Sequence, residues 1–164
     1  MTWEDEYVGA NDVKHVPISP AMRNYLLHSS TRIDPVVASL LERTAALGDA
    51  SGMMVPAEQS VLLTMLARML GARKVIDIGT FTGLSALAFA RGLVPGGQVI
   101  SCDVTDQWLG IAREHWQRAG VADRIDFRRG SASRTLQALA PAADVDIVFI
   151  DADKMNYPNY YRLA

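Results

Sequence analysis

Two groups of residues have the types and the spacing to do chemistry. The first is Asp151-Ala152-Asp153-Lys154, which follows the apolar run 145–150. Side chains two apart on an extended chain leave it in alternation with the residue between them, and at a strand end the chain can turn them to different sides. One carboxylate can then address a metal or a substrate while the other addresses a second ligand, and the lysine adds a possible base. The second group lies between Lys74 and Ser85, where a β-branched run enters a turn bearing Gly79 and Gly83 and then a helix. It reads as the floor of a nucleotide-like site, the glycines letting the backbone turn and approach a ligand. The Gly-x-x-x-Gly spacing fails the Gly-x-Gly-x-x-Gly dinucleotide pattern. Asp77, two residues before the first glycine, would repel a pyrophosphate but not a cationic or hydroxyl-rich group. Asp103 follows the turn by about 20 residues at the tip of the next strand, a place from which a carboxylate accepts both hydroxyls of a ribose. An ordinary strand-end carboxylate is the alternative.

The elements that must position these residues are readable from periodicity and punctuation. Residues 1–19 are polar, mixed in sign and without sustained period, and read as an arm. Ser19 and Pro20 predict a helix over 20–28, and Asp34 and Pro35 start a second one ending near Gly48. Residues 49–55 read as a loop. Pro56 opens a third helix with Val61, Leu62, Met65, Leu66 and Met69 on its apolar face, stopped by Gly71. From Lys74 onward strands (74–78, 98–102, 125–128, 145–150) alternate with helices (82–91, one capped by Thr105, and 131–139), the pattern of a parallel sheet with right-handed crossovers. Trp108, Ile111, Ala112, Trp116 and Ala119 predict the buried stripe of the helix after Asp103. Ligands of such open α/β sheets bind at the carboxyl edge.

Composition bounds the classes of function. With 164 residues, 49% hydrophobic and 21% charged, the chain reads as one globular domain able to bury a core. Its parts would be the arm 1–19, helices over 20–71 and a core over 72–164. A net charge of −2 disfavours general nucleic-acid or membrane-surface binding. Clustered Arg124, Arg128 and Arg129 leave a local patch open. The single cysteine, Cys102, cannot form an internal disulfide, and the polar, acidic start does not read as a signal peptide, so cytoplasm is the expected location. His15, His28 and His115 lack paired ligand spacing and are expected in structural or solvent roles.

From about Ile33 onward the chain resembles the class I S-adenosylmethionine-dependent O-methyltransferases of the cation-dependent caffeoyl-CoA and catechol type. Three blocks carry this: Asp77 to Ser85, the strand-end acid Asp103, and Asp151 to Tyr157, the last being the specific one. The resemblance implies a Rossmann-like, doubly wound, mostly parallel α/β sheet preceded by helices, and S-adenosylmethionine as cofactor. In that reading Ser85 hydrogen-bonds the cofactor, Gly79 and Phe81 line its amino-acid end, and Met53 and Val55 cover its methionine part. Ala132 lies near the adenine, Asp103 at the ribose and Asp153 also at the cofactor. Asp77 keeps the charge of the glutamate common in relatives, with a shorter reach. Hydrophobic cover for Met53 and Val55, turn amides satisfying Asp77, and a salt-bridged strand end for 151–154 are the plainer alternatives.

The resemblance also assigns Asp151 to a divalent cation, Mg²⁺ or in its place Mn²⁺ or Ca²⁺, hard ions that prefer oxygen ligands and would hold two adjacent phenolic oxygens. Lys154, repelled by that ion, would shed its own proton more readily and take the proton of the phenol. The expected activity is methyl transfer to a hydroxyl of a catechol or related phenolic small molecule, by a homodimer. A tRNA hydroxylated-base methyltransferase and a non-catalytic nucleoside- or partner-binding module are the rival readings, and a dehydrogenase is the weakest. Similar methyltransferases continue with three more strands, one of which brings an Asp-Asn pair to the metal. The sequence is therefore expected to be a carboxyl-terminally incomplete piece, which by itself would aggregate or pair through its fourth strand, bind cofactor poorly and show no metal-dependent turnover.

Overall fold

The computed structural model describes residues 19–29, 33–139 and 144–164, so the arm 1–18 and His15 lie outside the described residues. The chain divides into two units, 1–32 and 33–164. In the first, helix α1 (Pro20–Ser29) begins as expected, with Ser19 Oγ accepting the Met22 amide at 3.2 Å. The exposed His28 ring donates back to the Asn24 carbonyl at 2.7 Å.

The second unit carries four strands, β1 (Lys74–Ile78), β2 (Gln98–Asp103), β3 (Ile125–Arg129) and β4 (Ile147–Ile150), paired in parallel in the order β3-β2-β1-β4. β1 is central because both of its neighbours pair with it, and its Val75, Ile76 and Ile78 are buried. Period-2 alternation sends Ile76 and Ile78 to one face, with Ile100, Leu136 and Tyr160, and Val75 to the other, with Leu87, Phe89 and Trp116. Each such buried aliphatic contributes about 1.5–3 kcal/mol, which is what requires helices on both faces. Asp77 shares the face of Val75. Asp146, just before β4, accepts the Arg73 and Lys74 amides at 2.7 and 2.9 Å and so fixes where β1 begins.

The helices of this unit are α2 (Pro35–Ala45), α3 (Ala57–Met69), α4 (Leu84–Gly92), α5 (Leu109–Arg118), α6 (Ala132–Leu139) and α7 (Tyr157–Leu163). Asp34 caps α2 through the Val36 and Val37 amides and pairs with Arg91. His115 is fully buried between α5 and α2, its ring bonded to the Ile111 carbonyl and to Ser39 Oγ.

Two expectations are corrected. Residues 49–55 are not plain loop, since Gly48–Met53 forms a 3₁₀ turn. The apolar face of α3 is also not its buried face, with Leu62 50% and Met69 78% exposed, while Ser60, Leu63 and Ala67 are buried. The cause is close packing on α4: Thr64 donates to the Ala88 carbonyl at 2.8 Å, and a Cβ at Gly92 would stand 2.6 Å from that of Ala67. Small residues fit the closest part of that crossing, so Thr64 and Ala67 take it with Leu63 buried beside them, and Leu62 and Met69 are left outside.

Candidate functional site

At the carboxyl edge of the sheet lies a cavity of about 1010 Å³. Met53, Val55, Gly79, Phe81, Ser85, Asp103, Ala132, Asp151, Asp153 and Lys154 all line it, so ten of the eleven predicted residues are brought together from five separate segments. Asp77 is the exception.

Asp103 braces the turn as well as facing the cavity. Its Oδ2 accepts the Thr80 and Phe81 amides, both at 3.0 Å, and its Oδ1 accepts the Thr105 amide at 3.1 Å. Phe81 adopts φ 47°, a left-handed conformation costing a residue with a Cβ about 1–2 kcal/mol. The two amide bonds to a charged acceptor offset that strain. Each carboxylate oxygen can accept more than one hydrogen bond, so lone pairs remain for ligand hydroxyls.

The glycines serve the protein's own packing. Gly79 has φ 104°, and a Cβ there would overlap the carbonyl oxygen of Asp151. The Gly79 amide donates to the Cys102 carbonyl at 2.9 Å, and the Asp151 amide to the Ile78 carbonyl at 2.9 Å. At Gly83 a Cβ would stand 2.7 Å from the Trp116 indole nitrogen, which donates to the Gly83 carbonyl at 2.9 Å. Both glycines thus approach other parts of the chain closely, Asp151 after β4 and Trp116 of α5, while also lining the cavity.

Asp77 is corrected more sharply. It is 0% exposed and sits behind the wall, its Oδ2 accepting from Ser101 Oγ at 2.8 Å and Ser85 Oγ at 3.2 Å. Turn amides do not satisfy it, and its Oδ1 has no partner. Burial pushes its carboxyl up to about 7, against the two hydroxyl bonds, and the Asp151 and Asp103 charges push the same way.

At the end of β4 the surroundings are opposite. Asp153 is exposed, with Tyr160 Oη donating to Oδ1 at 2.6 Å and Asn156 Nδ2 donating to Oδ2. Those two bonds, Tyr160 first, hold its carboxyl below the usual range. Burial and then the Asp153 carboxylate push the Tyr160 phenol up to about 12. Asn156 and Tyr160 also line the cavity and were missed. The signal was their i, i+4 spacing just after Asp153, which places both on one helical face turned back toward the strand end.

Trp108 was assigned to the stripe of α5, but α5 begins one residue later. Thr105 Oγ1 accepts the Gln107 amide at 3.1 Å in a local turn, so Thr105 does not cap the helix, and Trp108 stands at its first boundary without a side-chain cap. There it lines the cavity, its ring edge-on to Phe81 at 4.9 Å between centroids. Cys102 lines it too, with burial pushing the thiol up to about 11, which removes it as a nucleophile.

For a metal the fit is poor. Among the described residues no group of three or more His, Cys, Asp or Glu side chains is placed to hold an ion. Asp151 is a single exposed carboxylate, short of the oxygen set such ions require. The arginine patch is compensated, Arg128 pairing with Asp126 at 2.9 Å and Arg129 with Asp106 at 3.3 Å, while Arg124 reaches the Ala90 carbonyl. Among the described residues no helix is long and apolar enough to cross a membrane.

A parallel sheet wound on both faces, with a large cleft at its carboxyl edge and acids at the ends of β2 and β4, defines the Rossmann-like class of methyltransferase folds. The sequence profile of the O-methyltransferase family matches residues 27–164, and the chain belongs to that family. It is 36% identical over 156 residues to a probable caffeoyl-CoA O-methyltransferase of Dictyostelium discoideum, covering 93% of this chain and 67% of the relative. It is 37% identical over 148 residues to a catechol O-methyltransferase of Mycobacterium tuberculosis, covering 90% and 66%. An O-methyltransferase from Bacillus cereus solved in complex with S-adenosylhomocysteine superposes with a TM-score of 0.79 at 33% identity, covering 88% of this chain and 66% of that one. The chain thus spans about two thirds of the length of these relatives.

Proposed function

We propose that the protein transfers a methyl group from S-adenosylmethionine to a hydroxyl of a catechol or related phenolic small molecule. The observation that carries this is the convergence on one cavity of Asp103 with its free lone pairs, the Ser85 hydroxyl, and the 151–154 cluster. A cavity of about 1010 Å³ leaves room for a nucleoside-sized ligand with a small acceptor beside it. Bound S-adenosylmethionine supplies an electrophilic methyl on a sulfonium.

The residues divide the remaining work. Asp103 accepts the ribose hydroxyls from a carboxylate already held by three backbone amides. Asp153, fixed by Tyr160 and Asn156, presents a charge of set orientation to the ammonium of the cofactor's amino-acid end. Phe81 and Trp108 form an apolar wall that excludes water from that side. Lys154 is the group placed to take the acceptor's proton, and the oxygen so exposed attacks in line, the rate coming from positioning. Divalent-cation assistance belongs to this reading through Asp151 alone among the described residues, and no step is drawn through an ion. A homodimer is the assembly that goes with it.

The test is calorimetry with S-adenosylhomocysteine, followed by mass-spectrometric detection of methylated catechol with and without chelator. In a longer chain that supplies metal ligands beyond Asp151, binding together with chelator-sensitive product formation is expected, and in residues 1–164 alone weak binding without chelator-sensitive turnover. Failure to bind S-adenosylhomocysteine would overturn the cofactor, and product formation unaffected by chelator would remove the cation.

A further inference from the structure

Helix α3 has two faces of unequal use. Ser60, Leu63 and Ala67 are buried, while Leu62, Met65, Leu66, Met69 and Leu70 form an outward stripe, each between 39% and 78% exposed. Their i, i+3, i+4, i+7, i+8 spacing is that of one apolar helix face, which in a globular protein is ordinarily covered. Here it faces solvent. With each side chain exposing on the order of 100 Å², the stripe offers roughly 500 Å² of apolar surface. A patch of that size on a soluble protein marks a contact, where leucines exposed singly do not.

Order, charge and area together say what fits it. About the midpoint between Met65 and Leu66 the stripe is symmetric, so a two-fold axis there sets Leu62 of one copy against Met69 of the other, and Met65 against Leu66. An antiparallel helix pair then closes apolar side chains over apolar side chains. Glu58 lies in the first turn of α3 and Arg68 in the last, both exposed, and among the described residues neither enters an ion pair. Antiparallel pairing turns the acidic end of each helix toward the basic end of the other, with the helix dipoles opposed. A lipid surface would call for a polar face rich in lysine and arginine, which α3 lacks. Counted on both copies the stripe covers about 1,000 Å², the least that a specific interface needs.

We propose that the outer face of α3 is a self-association surface, on which two copies of this chain meet about a two-fold axis in a weak, concentration-dependent dimer. This gives the homodimer named above its surface. None of the stripe residues lines the cavity, so the pairing stands or falls independently of cofactor binding there.

Sedimentation velocity of the ligand-free protein tests this. The expected result is reversible conversion from 17.9 kDa to twice that mass over about the micromolar range. Met69→Glu alters a side chain that solvent already surrounds, so the thermal midpoint should hold, and by setting a charge against Leu62 of the other copy it should weaken the dimer about tenfold or more. A monomer at every concentration, or a dimer that M69E leaves unchanged, overturns the proposal. Disulfide trapping locates the contact, and because Cys102 is buried an introduced thiol reports alone. Met65→Cys, beside the axis, should oxidise to a linked dimer, while Tyr161→Cys on α7, which packs against β4, should stay unlinked. The reverse pattern would move the pairing to the sheet edge at β4 and overturn the proposal. So would a monomer that binds phosphatidylcholine vesicles, which would give the face to lipid.

Discussion

Two strand ends beside one cavity carry the same residue type and treat it in opposite ways. At β1 the turn folds over Asp77, removes it from water and gives it hydroxyl donors on one oxygen only. At β4 the chain leaves Asp153 in solvent and supplies a donor to each oxygen, from Tyr160 and Asn156. One carboxyl is pushed up to about 7 and the other held below the usual range. The difference shows that charge at this edge is set by donor supply and burial, not by residue type. One acid is suited to hold a proton and its neighbour to hold a cation.

The largest expected effect comes from the point where the two regions meet. Gly79→Ala would force a Cβ into the Asp151 carbonyl at φ 104°. It should cost about 3 kcal/mol or more of stability, since backbone must move in both regions. Denaturant midpoints measure this, and a cost near that of an ordinary surface change would show that β4 does not press on the turn.

Next is the pH dependence of stability at Asp77. Its folded value of about 7 exceeds the unfolded value, so the contribution is fully present below about pH 4 and is lost as pH rises through about 7. Asp77→Asn should remove that loss, on the order of 2–4 kcal/mol, leaving a flatter stability profile across this window. Asp153 has the opposite sign. Its depressed value gives a contribution present above about pH 4 and lost as pH falls further. Opposite slopes in the two variants sharpen the comparison, and equal slopes break it.

A third effect is on binding. Asp103→Ala should weaken S-adenosylhomocysteine by about 1.5–3 kcal/mol, and it also frees the Thr80 and Phe81 amides. Asp103→Asn keeps an acceptor for them and should lose less, so the gap between the variants in calorimetry separates bracing from ribose contact. The smallest effect is Tyr160→Phe. Asp153 is exposed and water can replace the phenol, so the cost to cofactor binding should stay within about 1 kcal/mol.

Much of this fold was legible because β1, β2 and α2 obey local rules: β-branched runs, glycine punctuation and Asp34 as the cap of α2 all agree with the tertiary answer. Of the ten cavity residues, Gly79, Phe81, Asp103, Asp151, Asp153 and Lys154 follow from the same logic, standing at a strand end or in the turn after it. Ser85 and Ala132 lie in the first turns of α4 and α6, and Met53 and Val55, which precede every strand, were expected only from the resemblance. What was not legible depends on partners distant in sequence. The reach of Asp77 is decided by Ser101, 24 residues on, and a strand pattern does not show which hydroxyl will face it. The exposed face of α3 follows from a close crossing with α4 that favours small residues over the stripe of largest hydrophobicity. Trp108 was misplaced because the turn at Thr105 delays the helix, and a helical period continued backward from Ala112 cannot register that delay.

The most direct test of the central claim, that both walls of this cavity bind one cofactor, is an amide chemical-shift map of S-adenosylhomocysteine binding. The account predicts simultaneous perturbation of Gly79 to Ser85, Asp103 to Thr105, and Asp153 to Asn156 together with Tyr160, with Leu62 to Met69 on the outer face of α3 unmoved. Shifts confined to one wall, or centred on α3, would contradict it.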